Sequence, residues 1–182
     1  MNSQLGGYRA QARKRAVFCT LTVALMILLL SSFQVSLLAR FQLFGATPDL
    51  MLCFVLCIFY FWGKYAGAVT GIASGFVIEA VGGQGISLLP VIYMLFGYIG
   101  GAYARAIHPK RFFPYLFYLF CGLVVRAATT LLYAAMTWET LSLPDILLNS
   151  VLPEVGGTMI VGIVLYAPIK WICGLVDRWT RV

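Results

Sequence analysis

Long apolar runs separated by short polar or basic segments organise this chain. The first run, Ala16 to Ala39, follows Arg9, Arg13, Lys14 and Arg15. A secretory h-region has about 7–15 apolar residues; this run is longer and has no small-x-small cleavage site, so it reads as an uncleaved signal anchor. Arg40 follows in a short loop, and Thr47-Pro48-Asp49 opens a second run, Leu50 to Trp62. Proline in a first turn with an acid beside it is the chemistry of a helix N-terminus, so Pro48 and Asp49 are read as a helix start.

Lys64 separates that run from a glycine-rich one, Tyr65 to Val81, which ends at Gly82-Gly83-Gln84-Gly85. A fourth run covers Ser87 to Ala104, the basic segment Arg105 to Arg111 follows, and a fifth run extends from Phe112 to Met136 with Arg126 inside it. After the polar stretch Trp138 to Asp145, a last run from Pro144 to Trp171 is interrupted by Pro153. A crossing needs about 20 apolar residues, so the pattern predicts about six transmembrane helices in one bundle. The second and third runs are short for a span; residues 50 to 81 could also make a re-entrant hairpin, although Lys64 and the aromatic residues before it fit a membrane boundary better.

Composition agrees. The chain of 182 residues is 62% hydrophobic and 10% charged, with a mean hydropathy of +0.92, which places it among all-α integral membrane proteins and leaves no room for a separate soluble domain. The expected organisation is a basic cytoplasmic tail over 1–15, a membrane domain over 16–172 and a short cytoplasmic tail over 173–182. The net charge of +7 is distributed in clusters between apolar runs, without the basic face that follows a nucleic-acid backbone. With the N-terminus in the cytoplasm, Arg9, Arg13, Lys14, Arg15, Lys64, Arg105, Lys110, Arg111, Lys170, Arg178 and Arg181 all fall inside, and only Arg40 lies outside. That distribution puts both termini in the cytoplasm of a multi-pass protein. Tyr60, Phe61, Trp62, Phe112, Phe113, Tyr115, Trp171 and Trp179 are then expected as an aromatic belt at the inner boundary.

Within the third run, Gly63, Gly67, Gly71 and Gly75 recur every four residues, and the next step is Glu79. A bare helix face permits backbone-to-backbone approach by another helix, and a carboxylate near hydrocarbon marks a candidate functional position. Gly97, Gly100 and Gly101 form a second small-residue surface on the fourth run. The two faces can pack on each other or receive a partner helix. Four-residue steps drift about 40° each on a 3.6-residue helix, so the stripe winds, and Gly71 and Gly75 are its most suitable crossing point.

Arg126 lies about 15 Å from the outer end of its run and needs either a partner or a route to water. Glu154, at matching depth on the last run, and Glu79 are the candidate partners; outward snorkelling is the other possibility. Pro153 removes a backbone donor among Asn149, Glu154, Gly156 and Gly157, which predicts a kink. Polar groups at a broken helix could line a small-molecule site or present a groove to a neighbouring helix.

Catalytic and metal chemistry find little to work with. Gly71-Ile72-Ala73-Ser74-Gly75 has Ile72 where a rhomboid-type GxSG motif requires glycine, and the single histidine, His108, is in a basic loop. No HExxH motif is present. Cys19, Cys53, Cys57, Cys121 and Cys173 lie in or at the ends of apolar segments without a CxxC pair, and read as packing or lipid-facing residues. No catalytic residue, cofactor or metal is therefore expected.

Pro48-Asp49-Leu50, Trp62-Gly63-Lys64-Tyr65-Ala66-Gly67, Gly71, Gly75, the acid Glu79 and Gly85-Ile86, with a final span introduced by Asn149 and Pro153, together resemble the rod shape-determining protein MreD family. The likeness covers about residues 45 to 105 well and the remainder in outline; the family commonly has Asp where this chain has Glu79. The resemblance implies a non-enzymatic scaffold of the bacterial elongation machinery in the cytoplasmic membrane. Its implied partners are MreC and, in a larger complex, RodA and a class B penicillin-binding protein, with an indirect link to MreB. It also implies a fold similar to the substrate-binding subunits of energy-coupling-factor vitamin transporters. The alternative function is therefore a vitamin-binding subunit with ligand near Arg126, Asn149 and Glu154.

Overall fold

The computed structural model describes residues 2–34, 36, 47–82, 88–107, 112–137 and 147–179. Every regular element among them is helical: α1 (Asn2–Phe33), α2 (Leu50–Trp62), α3 (Lys64–Gly82), α4 (Leu89–Ile107), α5 (Phe112–Thr137) and α6 (Leu152–Trp179), with a π-helical turn at Leu147–Val151 leading into α6. Three of them, over Ala16–Phe33, Phe112–Leu132 and Leu152–Trp179, are long and apolar enough to cross a bilayer, whereas Leu50–Trp62 and Leu89–Ala104 are shorter apolar helices.

The shortest helix is the centre of the fold. All residues of α2 from Leu50 to Phe61 are buried, and α2 packs against each of the five other helices. Its uniformly apolar sequence, LMLCFVLCIFYFW, leaves no polar face to turn outward, which is the pattern of a helix surrounded on all sides. At about 1.5 Å per residue its 13 residues span about 20 Å, so its shortness belongs to a core helix rather than to a thin part of the bundle wall.

Both ends of α2 are set locally. At the start, Asp49 Oδ1 accepts from the Leu52 N–H at 3.0 Å, filling one of the orphan donors of the first turn. At the end, Gly63 adopts φ 91° and is the single residue between α2 and α3. Its N–H donates to Phe59 O at 2.9 Å and its carbonyl accepts from Gly67 N–H at 3.0 Å. Only a residue without Cβ takes this backbone conformation without strain, and it reverses the chain in one step.

The two glycine faces close on each other. A methyl group on Gly67 would lie 2.7 Å from Gly97 O, one on Gly71 2.8 Å from Met94 N, and one on Gly75 2.7 Å from Pro90 N. On the facing helix, a methyl on Gly101 would lie 2.6 Å from Lys64 N. The ladder therefore runs along the whole α3–α4 crossing, from Gly63 and Lys64 against Gly101 to Gly75 against Pro90. These glycines are consumed within the chain and present no free face to another helix, which corrects the partner-docking alternative for Gly67, Gly71, Gly75, Gly97 and Gly101.

Several expected boundaries move. α1 is helical from Asn2, so the basic tail continues the anchor helix, and α6 runs to Trp179 across the expected start of a C-terminal tail. Pro153 is the second residue of α6, directly after the π-helical turn Leu147–Val151, so the helix changes type where the proline removes a backbone donor. The proline inside the helix is Pro168. Tyr60, Phe61 and Tyr115 are buried rather than part of an interfacial belt, while Phe113, Trp171 and Trp179 are exposed. The Gly83–Gly85 turn, Arg40, His108, Pro144 and the 138–146 segment lie outside the described residues.

Candidate functional site

A set of buried and half-buried polar side chains converges at the head of α2. Asp49, placed there by its capping role, is 3% exposed despite its charge. Its second carboxylate oxygen, Oδ2, accepts a short hydrogen bond from the Tyr93 hydroxyl of α4 and lies 3.5 Å from Arg126 Nε of α5. The same Nε donates to Glu154 Oε1 of α6 at 3.3 Å. The Asp49 backbone N–H donates to Thr158 Oγ1 at 3.0 Å, and the Thr158 hydroxyl donates to Glu154 O at 2.6 Å. The Cys53 thiol adds a longer contact to Thr158 O at 3.6 Å.

One guanidinium is thus shared by two carboxylates, and four helices meet through side chains that satisfy one another. The Arg126 and Glu154 side chains keep 25% and 20% of their surface exposed, against 4% for Asp49, so the cluster is closed on the α2 side and reaches the surface on the α5–α6 side. Glu154 sits in the first turn of α6, where a negative charge complements the helix dipole. Arg126 O in turn accepts from the hydroxyls of Thr129 at 2.7 Å and Thr130 at 3.1 Å. A buried charge set of this kind is costly to break because each member left alone would be desolvated without a counter-charge.

Of the two partners expected for Arg126, Glu154 is the one at contact distance. Glu79 is near the end of α3, outside this cluster, with its Oε1 buried and without a hydrogen-bond partner among the described residues. Asn149 falls in the π-helical turn before α6, and its side chain lies outside the described residues. Pro48 is fully buried beside Asp49. Sequence reading treated Asp49 only as a helix start and missed Tyr93 and Thr158 altogether. Tyr93 stands in an apolar run with no local mark of its role; for Asp49, an acid at the mouth of a wholly apolar helix was the available signal.

A second cluster occupies the opposite half of α2. Tyr115 donates to Gly162 O at 3.0 Å and accepts from the Cys57 thiol at 3.4 Å. Its ring lies 4.7 Å from that of Tyr166 and 6.1 Å from that of Tyr60, measured between centroids. Cys53, Cys57 and Cys173 are buried here and at the α2–α6 contact as packing residues. Comparison with protein-family models, curated proteins and solved structures finds no match for this chain.

Proposed function

We propose that this chain is a non-enzymatic, six-span scaffold of the MreD type in the bacterial cytoplasmic membrane, binding MreC and helping to couple peptidoglycan synthesis to MreB. RodA and a class B penicillin-binding protein would join in a larger complex. One observation carries the reading: the stretch that resembles MreD, about residues 45 to 105, coincides with the structural hub. Pro48 and Asp49 start the wholly buried α2, Gly63 reverses the chain, and Gly67, Gly71 and Gly75 close the crossing with α4. A resemblance arising from apolar composition alone would have no reason to fall on the residues with the strictest local requirements.

The polar cluster supports a scaffold over a vitamin-binding subunit. Arg126 and Glu154, two of the three residues suggested for a ligand, are engaged with each other, and Arg126 also with Asp49. Since the glycine ladder is closed internally, partner contacts fall on outer faces, and of the three long apolar helices α1 is the least buried, with Leu21, Leu25 and Leu28 63%, 56% and 61% exposed. The basic residues flanking the helices support cytoplasmic termini, and the six-helix order is compatible with a fold like that of energy-coupling-factor substrate subunits.

Two measurements test this. Depletion of the protein in its own bacterium should turn rods into spheres, and the full chain should co-purify with MreC from mild detergent. Rod shape kept after depletion, together with purification free of MreC, sinks the scaffold reading; a stoichiometric vitamin found by mass spectrometry would establish the transporter subunit instead. Alkaline phosphatase fused after Arg40 should be active and fused after Val182 inactive if both termini are cytoplasmic.

A further inference from the structure

One edge of the polar cluster at the head of α2 is left unused. Both acid contacts of Arg126 are made by Nε, at 3.3 Å to Glu154 Oε1 and 3.5 Å to Asp49 Oδ2. Among the described residues, Nη1 and Nη2 donate no hydrogen bond and Glu154 Oε2 accepts none. The buried side-chain atoms that lack a partner lie elsewhere, at Ser74, Trp62 and Tyr166 among others, so these three atoms reach the surface. The two side chains are 25% and 20% exposed.

The edge opens on the bundle-facing side of α5, where α2 has ended. Tyr115, Leu119, Gly122 and Arg126 follow one another at steps of four, three and four residues, which is one face of a helix; Tyr115 and Leu119 on that face are fully buried. Ala127 and Leu131 of α5 close on Val151 of the π-helical turn and Val155 of α6. α2 stops at its cap, Asp49, whereas α5 continues from Arg126 to Thr137, 11 residues and about 16 Å along the axis. The free edge therefore stands on a step, at the end of α2 and beside the projecting part of α5.

Its chemistry selects the class of occupant. Two nitrogens offer hydrogens and, beside them, one carboxylate oxygen offers lone pairs. An added carboxylate would be a third acid around one guanidinium. An added ammonium or guanidinium would pair with Glu154 and leave the Nη hydrogens without an acceptor. A carboxamide, uncharged and carrying C=O and NH2 on one carbon, answers both halves at once. Where helices meet in a bilayer, asparagine and glutamine supply that group.

We propose that this edge is the docking point of a partner's transmembrane helix through an asparagine or glutamine carboxamide, its oxygen accepting from the Arg126 Nη groups and its NH2 donating to Glu154 Oε2. The proposal rests on the scaffold reading and adds a polar anchor to the outer-face contacts, naming where and by what chemistry a partner is held.

A transmembrane peptide rich in leucine and alanine, with a single glutamine moved one turn at a time along it, is the probe. Energy transfer between this peptide and the labelled full chain in phosphatidylcholine vesicles should show, at one of those depths, association on the order of tenfold tighter than for the all-apolar peptide. Glutamate and lysine peptides should show no such gain. Isotopic labelling of the glutamine carboxamide gives a second reading on the unaltered protein: its carbonyl stretch should fall in frequency on association, as the oxygen accepts from the guanidinium. R126Q removes the donors and should erase the gain; thermal melts check that the variant is folded, and the infrared reading carries the test if it is not. Equal association of the glutamine and all-apolar peptides, an unshifted carbonyl stretch, or a gain that folded R126Q keeps overturns the proposal. Pairing of two copies of the chain that R126Q abolishes, without a glutamine preference, would assign the edge to self-association and overturn it too. Co-purification with MreC is read separately, so the scaffold reading and this one can fail independently.

Discussion

The backbone N–H of Asp49 donates to the Thr158 hydroxyl at 3.0 Å, joining two positions 109 residues apart at the point where α2 begins. Asp49 thereby does two things at once: its Oδ1 caps α2, and its Oδ2 faces Tyr93 and Arg126. The two roles separate by substitution. Asp49→Asn keeps a capping acceptor and loses the charge, whereas Asp49→Ala loses both. The expected loss of stability is about 1 kcal/mol for the first and about 3 kcal/mol for the second, read as the difference in unfolding free energy in detergent. Equal losses would mean that the cap contributes nothing.

Sharing of Arg126 between two acids predicts a strong non-additive effect. Arg126→Met leaves Asp49 and Glu154 without their common counter-charge and should cost about 3 kcal/mol, the lower end of the range for a buried pair because the side chain is 25% exposed. Adding Glu154→Gln removes one of the stranded charges and should recover about 1 kcal/mol. A double mutant less stable than Arg126→Met by the full cost of Glu154→Gln alone would show that the two residues are not coupled.

The glycines divide into two groups by what a side chain would meet. Gly67→Ala and Gly71→Ala force α3 and α4 apart against backbone atoms, and each should cost about 1–3 kcal/mol. Gly156→Ala meets nothing within 4 Å and should be neutral or stabilising by about 0.5–1 kcal/mol, because alanine is the better helix former. Thermal melts of the three variants side by side check the contrast; a destabilised Gly156→Ala would contradict the open space around it.

Gly63 is a separate case, since the constraint there is conformational. Any residue with a Cβ at φ 91° is strained, so Gly63→Ala should cost about 1–3 kcal/mol. Loss of expression that is restored at lower growth temperature would agree with this, and a wild-type melting temperature would not.

Helix positions were legible because they depend on neighbours in sequence. Leu50–Trp62 is the range its apolar run indicates, closed by an acid that caps and a glycine that reverses the chain. Ahead of α6, the interruption expected at Pro153 falls where a π-helical turn gives way to α-helix, but the type of turn is not written in the sequence. The candidate site was half legible. An arginine in an apolar run needs a counter-charge or a route to water, and spacing offered Glu154 as one of two candidate partners without deciding between them. Asp49 was visible only as a cap, and Tyr93 and Thr158 carried no signal, since a hydroxyl in an apolar run looks the same whether it is packed or paired.

By itself the sequence determined an all-helical chain with spans long and apolar enough for a bilayer, because run length, turn residues and caps act over a few residues. The tertiary structure alone decided that the shortest helix is the one surrounded by all the others, that the glycine ladder is filled from within, and that Arg126 is held by Asp49 as well as by Glu154. Those outcomes depend on which faces meet across 44 residues for Asp49 and Tyr93 and 109 for Asp49 and Thr158, and such meetings are set by the packing of whole helices, a property that no local pattern contains.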